Sequence, residues 1–136
     1  MNYTQIQRLQ CKLETSRDEA FRFLARAEKE RRILDSDDPQ DFVDRSVISS
    51  SRELLFHRSS QKRRLLQMIE DALRRIDNDE FGVCTGCGER INIKRLEAMP
   101  WTQYCLQCQE KLEQVQRFNL QPRLRPGTAA RMEFAD

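Results

Sequence analysis

Cys84-Thr-Gly-Cys87-Gly-Glu-Arg-Ile-Asn-Ile-Lys-Arg-Leu-Glu-Ala-Met-Pro-Trp-Thr-Gln-Tyr-Cys105-Leu-Gln-Cys108 is the stretch on which the fold turns. Two thiolates three positions apart can pinch one cation from a tight turn. A second such pair, seventeen residues further on, completes a tetrahedral sulfur site. That site suits Zn²⁺, with Zn–S distances of roughly 2.3 Å. Gly86 and Gly88 fit the same reading, because a chain bending around a metal needs positive φ or a backbone close to sulfur. Two disulfides, or thiols buried as small hydrophobes, are the competing readings. The segment from Asn78 to Cys108 is therefore expected to form a knob held by one structural zinc on Cys84, Cys87, Cys105 and Cys108. Four thiolates close the coordination sphere and leave no position for water or substrate, so the metal is a staple rather than a catalyst.

Upstream of the knob the pattern is helical. From Tyr3 to about Leu34 there is neither proline nor glycine, and Ile6, Leu9, Leu13, Ala20, Phe23, Ala27 and Leu34 fall on one heptad seam. Ser16 and Glu30 interrupt it. Asp35-Ser-Asp-Asp-Pro-Gln-Asp41 is a turn cluster whose proline cannot continue the first helix but can open a second. A second uninterrupted stretch runs from about Asp41 to Asp77, with a stripe of Leu55, Leu66, Ile69, Leu73 and Ile76. Two long helices joined by so short a link fold back as an antiparallel hairpin. An arm of about 32 residues reaches roughly 48 Å. Downstream, a third helix is expected from near Leu106, with a frayed tail beyond Phe118. The expected fold class is mostly α: a long antiparallel coiled-coil hairpin, a small four-cysteine zinc-finger knob and a C-terminal helix. The division reads 1–78 for the hairpin, with its tip at about 35–46, then 79–118 for the knob and last helix, and 119–136 for the tail.

Composition agrees with a rod rather than a large core. Charged residues are 34% of the chain and aromatics only 7%, which suits solvated helices around a narrow seam. The net charge of +2 is the balance of 24 basic and 22 acidic residues, so general capture of a polyanion is not implied. The first residues show no apolar secretory core, and no run of about eighteen apolar residues spans a bilayer. A reducing cytoplasm is the expected setting, where cysteine pairs hold metal more often than they form disulfides. Cys11 is read as a passive helical residue. His57, flanked by Arg58 and Ser59, is read as a solvated helix position, and no nucleophile or phosphate-loop arrangement is present. The chain is expected not to be an enzyme.

The tip is the remaining chemical feature. Asp41 and Asp44 lie at i and i+3 on one helical face, within five carboxylates between Asp35 and Asp44. Capping of the second helix accounts for one or two of them. The rest make an anionic probe that can meet a metal ion or a basic residue deep in a cleft. Lys62, Arg63, Arg64, Arg74, Arg75, Lys94 and Arg95 form either a basic flank or the solvated face of the coiled coil.

Asp79-Glu-Phe-Gly-Val-Cys84-Thr-Gly-Cys87-Gly-Glu-Arg-Ile91, Arg95-Leu-Glu-Ala-Met-Pro100 and Cys105-Leu-Gln-Cys108 closely resemble the signature of the bacterial DksA/TraR zinc-finger family, over about residues 37–112. The resemblance implies a knob, a coiled coil and a mobile C-terminal helix. It also implies a transcription regulator that binds RNA polymerase without DNA contact, passes its tip through the secondary channel and alters promoter-complex lifetime under nutrient stress. Asp41-Phe-Val-Asp44-Arg45-Ser46 aligns with the family's tip motif Asp-x-x-Asp-x-Ala. Asp44 takes the place of the regulatory carboxylate, and Ser46 replaces the alanine. A serine hydroxyl packed without a partner costs about 1–3 kcal/mol. The basic contacts that bind the alarmone ppGpp in some members fall at Gln61, Arg64, Met68, Arg95, Met99 and Gln109, of which only Arg64 and Arg95 are charged. A weak or absent ppGpp response is therefore expected, and a monomer without membrane attachment. The rival reading is a GATA-like DNA-binding finger, which would want a basic helix after Cys108. The chain there reads Gln-Glu-Lys-Leu-Glu-Gln-Val-Gln-Arg, nearly neutral.

Overall fold

A computed structural model describes residues 1–36 and 42–120. Four helices follow one another: α1 Tyr3–Ser36, α2 Phe42–Asp77, α3 Ile93–Ala98 and α4 Leu106–Leu120. The one β feature among the described residues is an isolated antiparallel bridge between Val83 and Arg90. No described helix is long and apolar enough to cross a membrane.

Helices α1 and α2 pair as an antiparallel hairpin. Leu34 meets Arg52, Phe23 meets Lys62, and Leu13 packs with Ile69 and Ala72. Partner numbers climb on one helix as they fall on the other. The heptad seam of α1 is the buried one: Leu9, Leu13, Ala20 and Ala27 are buried, and Ile6, Phe23 and Leu34 half-buried. Ser16 is half-buried while Glu30 is exposed, so only the second interruption leaves the seam. On α2 the stripe expected near its end is present, but buried Ser59 and Ala72 belong to it as well. Small side chains let the two backbones approach, and a search for large apolar residues passes over them.

The first helix runs slightly further into the link than the sequence suggests. Asp35 and Ser36 are helical, since Ser36 Oγ donates to Ile33 O at 2.8 Å and Arg52 to Leu34 O at 2.7 Å. These bonds satisfy carbonyls that a helix end otherwise leaves open. The rest of the turn, including Pro39 and Asp41, lies outside the described residues. Helix α4 continues through Asn119 and Leu120, two residues into the stretch expected to be tail, while residues 121–136 lie outside the described ones.

The knob has its own cluster of Leu9, Cys84, Ile91 and Leu96, distinct from the hairpin cluster of Leu13, Ile69 and Ala72. Leu9 comes from α1, and Phe81 packs against both clusters. Rod and knob thus share one apolar junction, which polar bonds reinforce. Lys12 Nζ donates to Glu97 O, Arg75 to Val83 O and Glu80 O, and Gln103 Nε2 to Asp71 Oδ2.

Candidate metal centre

The first ligand pair sits in a turn closed by backbone bonds. Cys84 N donates to Glu89 O at 2.8 Å, and Gly88 N to Cys84 O at 2.9 Å. Gly88 adopts φ +75°, the conformation that L side chains resist. Gly86 serves differently. A Cβ there would lie 3.0 Å from Cys108 Sγ, so its hydrogen is what lets the two knuckles close on one another. The second pair stands at the start of α4, where Gln109 N donates to Cys105 O. Thr85 N and Oγ1 both bond Gln103 O, tying the first knuckle to the approach of the second.

Between the pairs lies a six-residue helix, α3, that the sequence reading did not anticipate. Six residues are too few to show a period. Its signal is local: Asn92 Oδ1 accepts from Lys94 N at 2.9 Å as an N-cap, and Pro100 follows shortly after the last turn. Leu96 on α3 is buried in the knob cluster. Arg95, also on α3, is half-buried and committed inward, donating through Nε to Tyr104 O at 3.1 Å and through Nη2 to Thr102 Oγ1 at 3.4 Å. It braces the backbone immediately before Cys105.

All four Sγ atoms lie within 4.8 Å of one another, and Cys87 Sγ is 3.8 Å from Cys105 Sγ. The edge of a tetrahedron with Zn–S bonds of about 2.3 Å is about 3.8 Å, so the donor set fits one zinc ion. None of the four cysteines is disulfide-bonded. Burial pushes the Cys84 thiol up, but backbone amides of Cys105, Cys87 and Gly86 aimed at its sulfur outweigh this and bring it down to about 6. At Cys87 the Glu89 amide lowers the thiol, yet burial and the neighbouring sulfurs leave it raised. Bonding to Cys105, then burial and the other thiols, pushes Cys108 up to about 12. Thiolates held this close repel one another unless a cation sits between them. A bound zinc would hold them as thiolates, releasing protons on binding and fixing the knob as a structural staple.

The tip residues are placed as follows. Asp44 lies in the first turn of α2, where a carboxylate complements the helix dipole, and Asp44, Arg45 and Ser46 are all exposed. Asp41 lies outside the described residues. The Ser46 hydroxyl donates to Phe42 O at 3.1 Å, so it is satisfied inside its own helix and needs no outside partner. Phe42, Val43 and Val47 are exposed around it. Of the two charged positions expected for ppGpp, Arg64 is exposed on α2, whereas Arg95 is the brace already described. His57 is exposed and bonds only Gln61, its helical neighbour, among the described residues. Cys11 is exposed.

Known proteins resemble this chain in sequence and in fold. Residues 79–114 match the prokaryotic dksA/traR C4-type zinc finger. An uncharacterized protein of Aquifex aeolicus is 37% identical over 93 residues, 68% of this chain and 64% of its own length. The RNA polymerase-binding transcription factor DksA of Haemophilus influenzae is 34% identical over 96 residues, 71% of this chain and 63% of its own. The chain thus spans slightly less than two thirds of these relatives. The structure of transcription factor DksA2 from Pseudomonas aeruginosa superposes with a TM-score of 0.73 at 26% identity, covering 86% of this chain and 89% of that one. With its zinc-finger sequence, its four gathered thiols and this shared fold, the chain belongs to the DksA/TraR family.

Proposed function

We propose that this protein is a non-enzymatic transcription regulator that binds RNA polymerase and acts by presenting its hairpin tip through the secondary channel. The observation that carries this reading is the length of the rod. Two helices of 34 and 36 residues stand on the knob and hold Asp44 exposed at the far end, about 50 Å away at 1.5 Å per residue. The relative from Haemophilus influenzae that bears the name RNA polymerase-binding transcription factor supports the choice of partner. In this mechanism the knob and rod body dock, and Asp44, flanked by Arg45 and Ser46 and assisted by Asp41, engages groups near the catalytic Mg²⁺. Its charge biases the promoter complex against a stable open state. The internal bond of Ser46 removes the desolvation cost that the replacement of alanine would otherwise bring.

The test is a pull-down of core RNA polymerase by the full chain, repeated with residues 38–46 deleted, alongside promoter-complex lifetimes. Docking should survive the deletion while the effect on lifetime disappears. Asp44→Asn should behave in the same way. A variant that keeps the full effect without the carboxylate would defeat the assignment.

The proposal extends to a weak ppGpp response, because Arg95 is engaged by the knob and the remaining contact positions are uncharged apart from Arg64. Equal binding of ppGpp to polymerase with and without the protein is the expected result. A DNA-reading finger finds less support. Helix α4 carries Lys111 and Arg117 alongside Glu110 and Glu113, so it offers no net positive charge to phosphates. We place the protein in the bacterial cytoplasm as a monomer, to be checked by fractionation and by mass at several concentrations.

A further inference from the structure

Apolar packing holds the distal end of the hairpin least. Near the knob, Leu13, Ile69 and Ala72 fill the seam. Toward the tip Ala27 and Ser59 are the last fully buried seam residues among those described, Leu34, Ile48 and Leu55 are only half-buried, and Glu30 is turned out to solvent. An open groove of about 300 Å³ runs beside them, and Leu55, Arg31, Arg52 and Arg63 are among the residues that line it. Packing this thin leaves the pairing of the two helix ends weakly specified.

Polar ties take over there, and they converge on Arg52. Its Nη2 donates to Leu34 O at 2.7 Å, and its Nε lies 3.4 Å from Asp35 Oδ1. Arg31 takes the other oxygen, Asp35 Oδ2, at 2.8 Å, and is itself held by Glu28. Helix α1 has no basic residue in its last turn. A helix end of that kind exposes negative carbonyls, and Asp35 adds a full negative charge to them. The cation that a C-terminus ordinarily draws from its own last turn arrives here from the opposite helix. Arg52 stands eight residues below Asp44 on α2, about 12 Å along the axis.

We propose that Arg52 is the positioning residue of the tip: its planar fork caps α1 across the hairpin and fixes the register in which Asp44 is presented. This rests on the polymerase reading above. The fork is essential because one edge serves a carbonyl and another a carboxylate, a geometry that a lysine ammonium does not reproduce. Exposed ion pairs contribute little to folding, so the effect of Arg52 falls on direction rather than on stability.

Full-length, zinc-loaded Arg52→Ala and Arg52→Lys chains test this on core polymerase, with affinity and promoter-complex lifetime measured at saturating protein. In both variants affinity should stay within about twofold of wild type. The effect on lifetime should fall about tenfold in Arg52→Ala, because a misplaced reacting group loses most of its action, and by a smaller factor in Arg52→Lys. Hydrogen exchange in the free Arg52→Ala chain should quicken at residues 33–36 and in the first turns of α2, and nowhere else. A full effect in either variant overturns the proposal, and so does a parallel loss of affinity and effect. Should Arg52→Ala lose helicity, Arg52→Lys decides by the same criteria. A wild-type chain without effect on polymerase would defeat the reading beneath, and the exchange pattern would still decide whether Arg52 orders the tip.

Discussion

Asp79 is the one described non-glycine residue with positive φ, at 58°. It ends α2: the amides of Asp79 and Glu80 bond Ile76 O and Arg75 O, the paired closure of a left-handed helix cap. An L residue held there is strained by roughly 1–2 kcal/mol, while a glycine gives back roughly 0.5–1 kcal/mol through its freedom in the unfolded chain. Asp79→Gly should therefore stabilise by about 0.5 kcal/mol, read as a higher urea midpoint; a lower midpoint would show that the aspartate side chain compensates. Gly86 carries the opposite prediction. A methyl group there meets a sulfur that the metal would pin, so Gly86→Ala should lower zinc affinity about tenfold in a chelator competition. The four ligands were legible in the sequence because their spacing is local. The parts played by the two glycines, one conformational and one steric, separate only when Cys108 is seen against Gly86.

Among the elements, the seam of α1 was legible because period and burial coincide over its whole length. That of α2 was legible only near the knob, where its members are large. Ile69 is fully buried between Leu13 and the second-helix leucines, and Ile69→Ala should cost about 2–5 kcal/mol in urea unfolding. Leu55, half-buried beside the open groove, should cost clearly less on the same change. Equal losses would mean that the distal seam is as well packed as the proximal one. Helix α3 escaped notice because its evidence is a cap and a stop rather than a repeat. The braces of Arg52, Arg75 and Arg95 escaped because their partners are backbone carbonyls, which every residue offers and no sequence marks.

For the molecule as a whole, Phe81 matters most, since one ring serves the clusters of rod and knob alike. Stripping zinc from the folded chain at neutral pH should remove exchange protection from residues 82–108 and from the end of α1 around Leu9 and Lys12. The middle of the hairpin should keep its protection. Protection retained throughout would show that the metal is dispensable to the fold. Helix α4 extends the consequence. It has no buried side chain, and fifteen residues on their own are marginal as a helix in water because the first turn is costly to start. Two of the metal's ligands, Cys105 and Cys108, sit one turn apart where that helix begins. The ion therefore acts as its nucleus, and circular dichroism should register demetallation as lost helix in a segment that meets the knob cluster through the ligand Cys108.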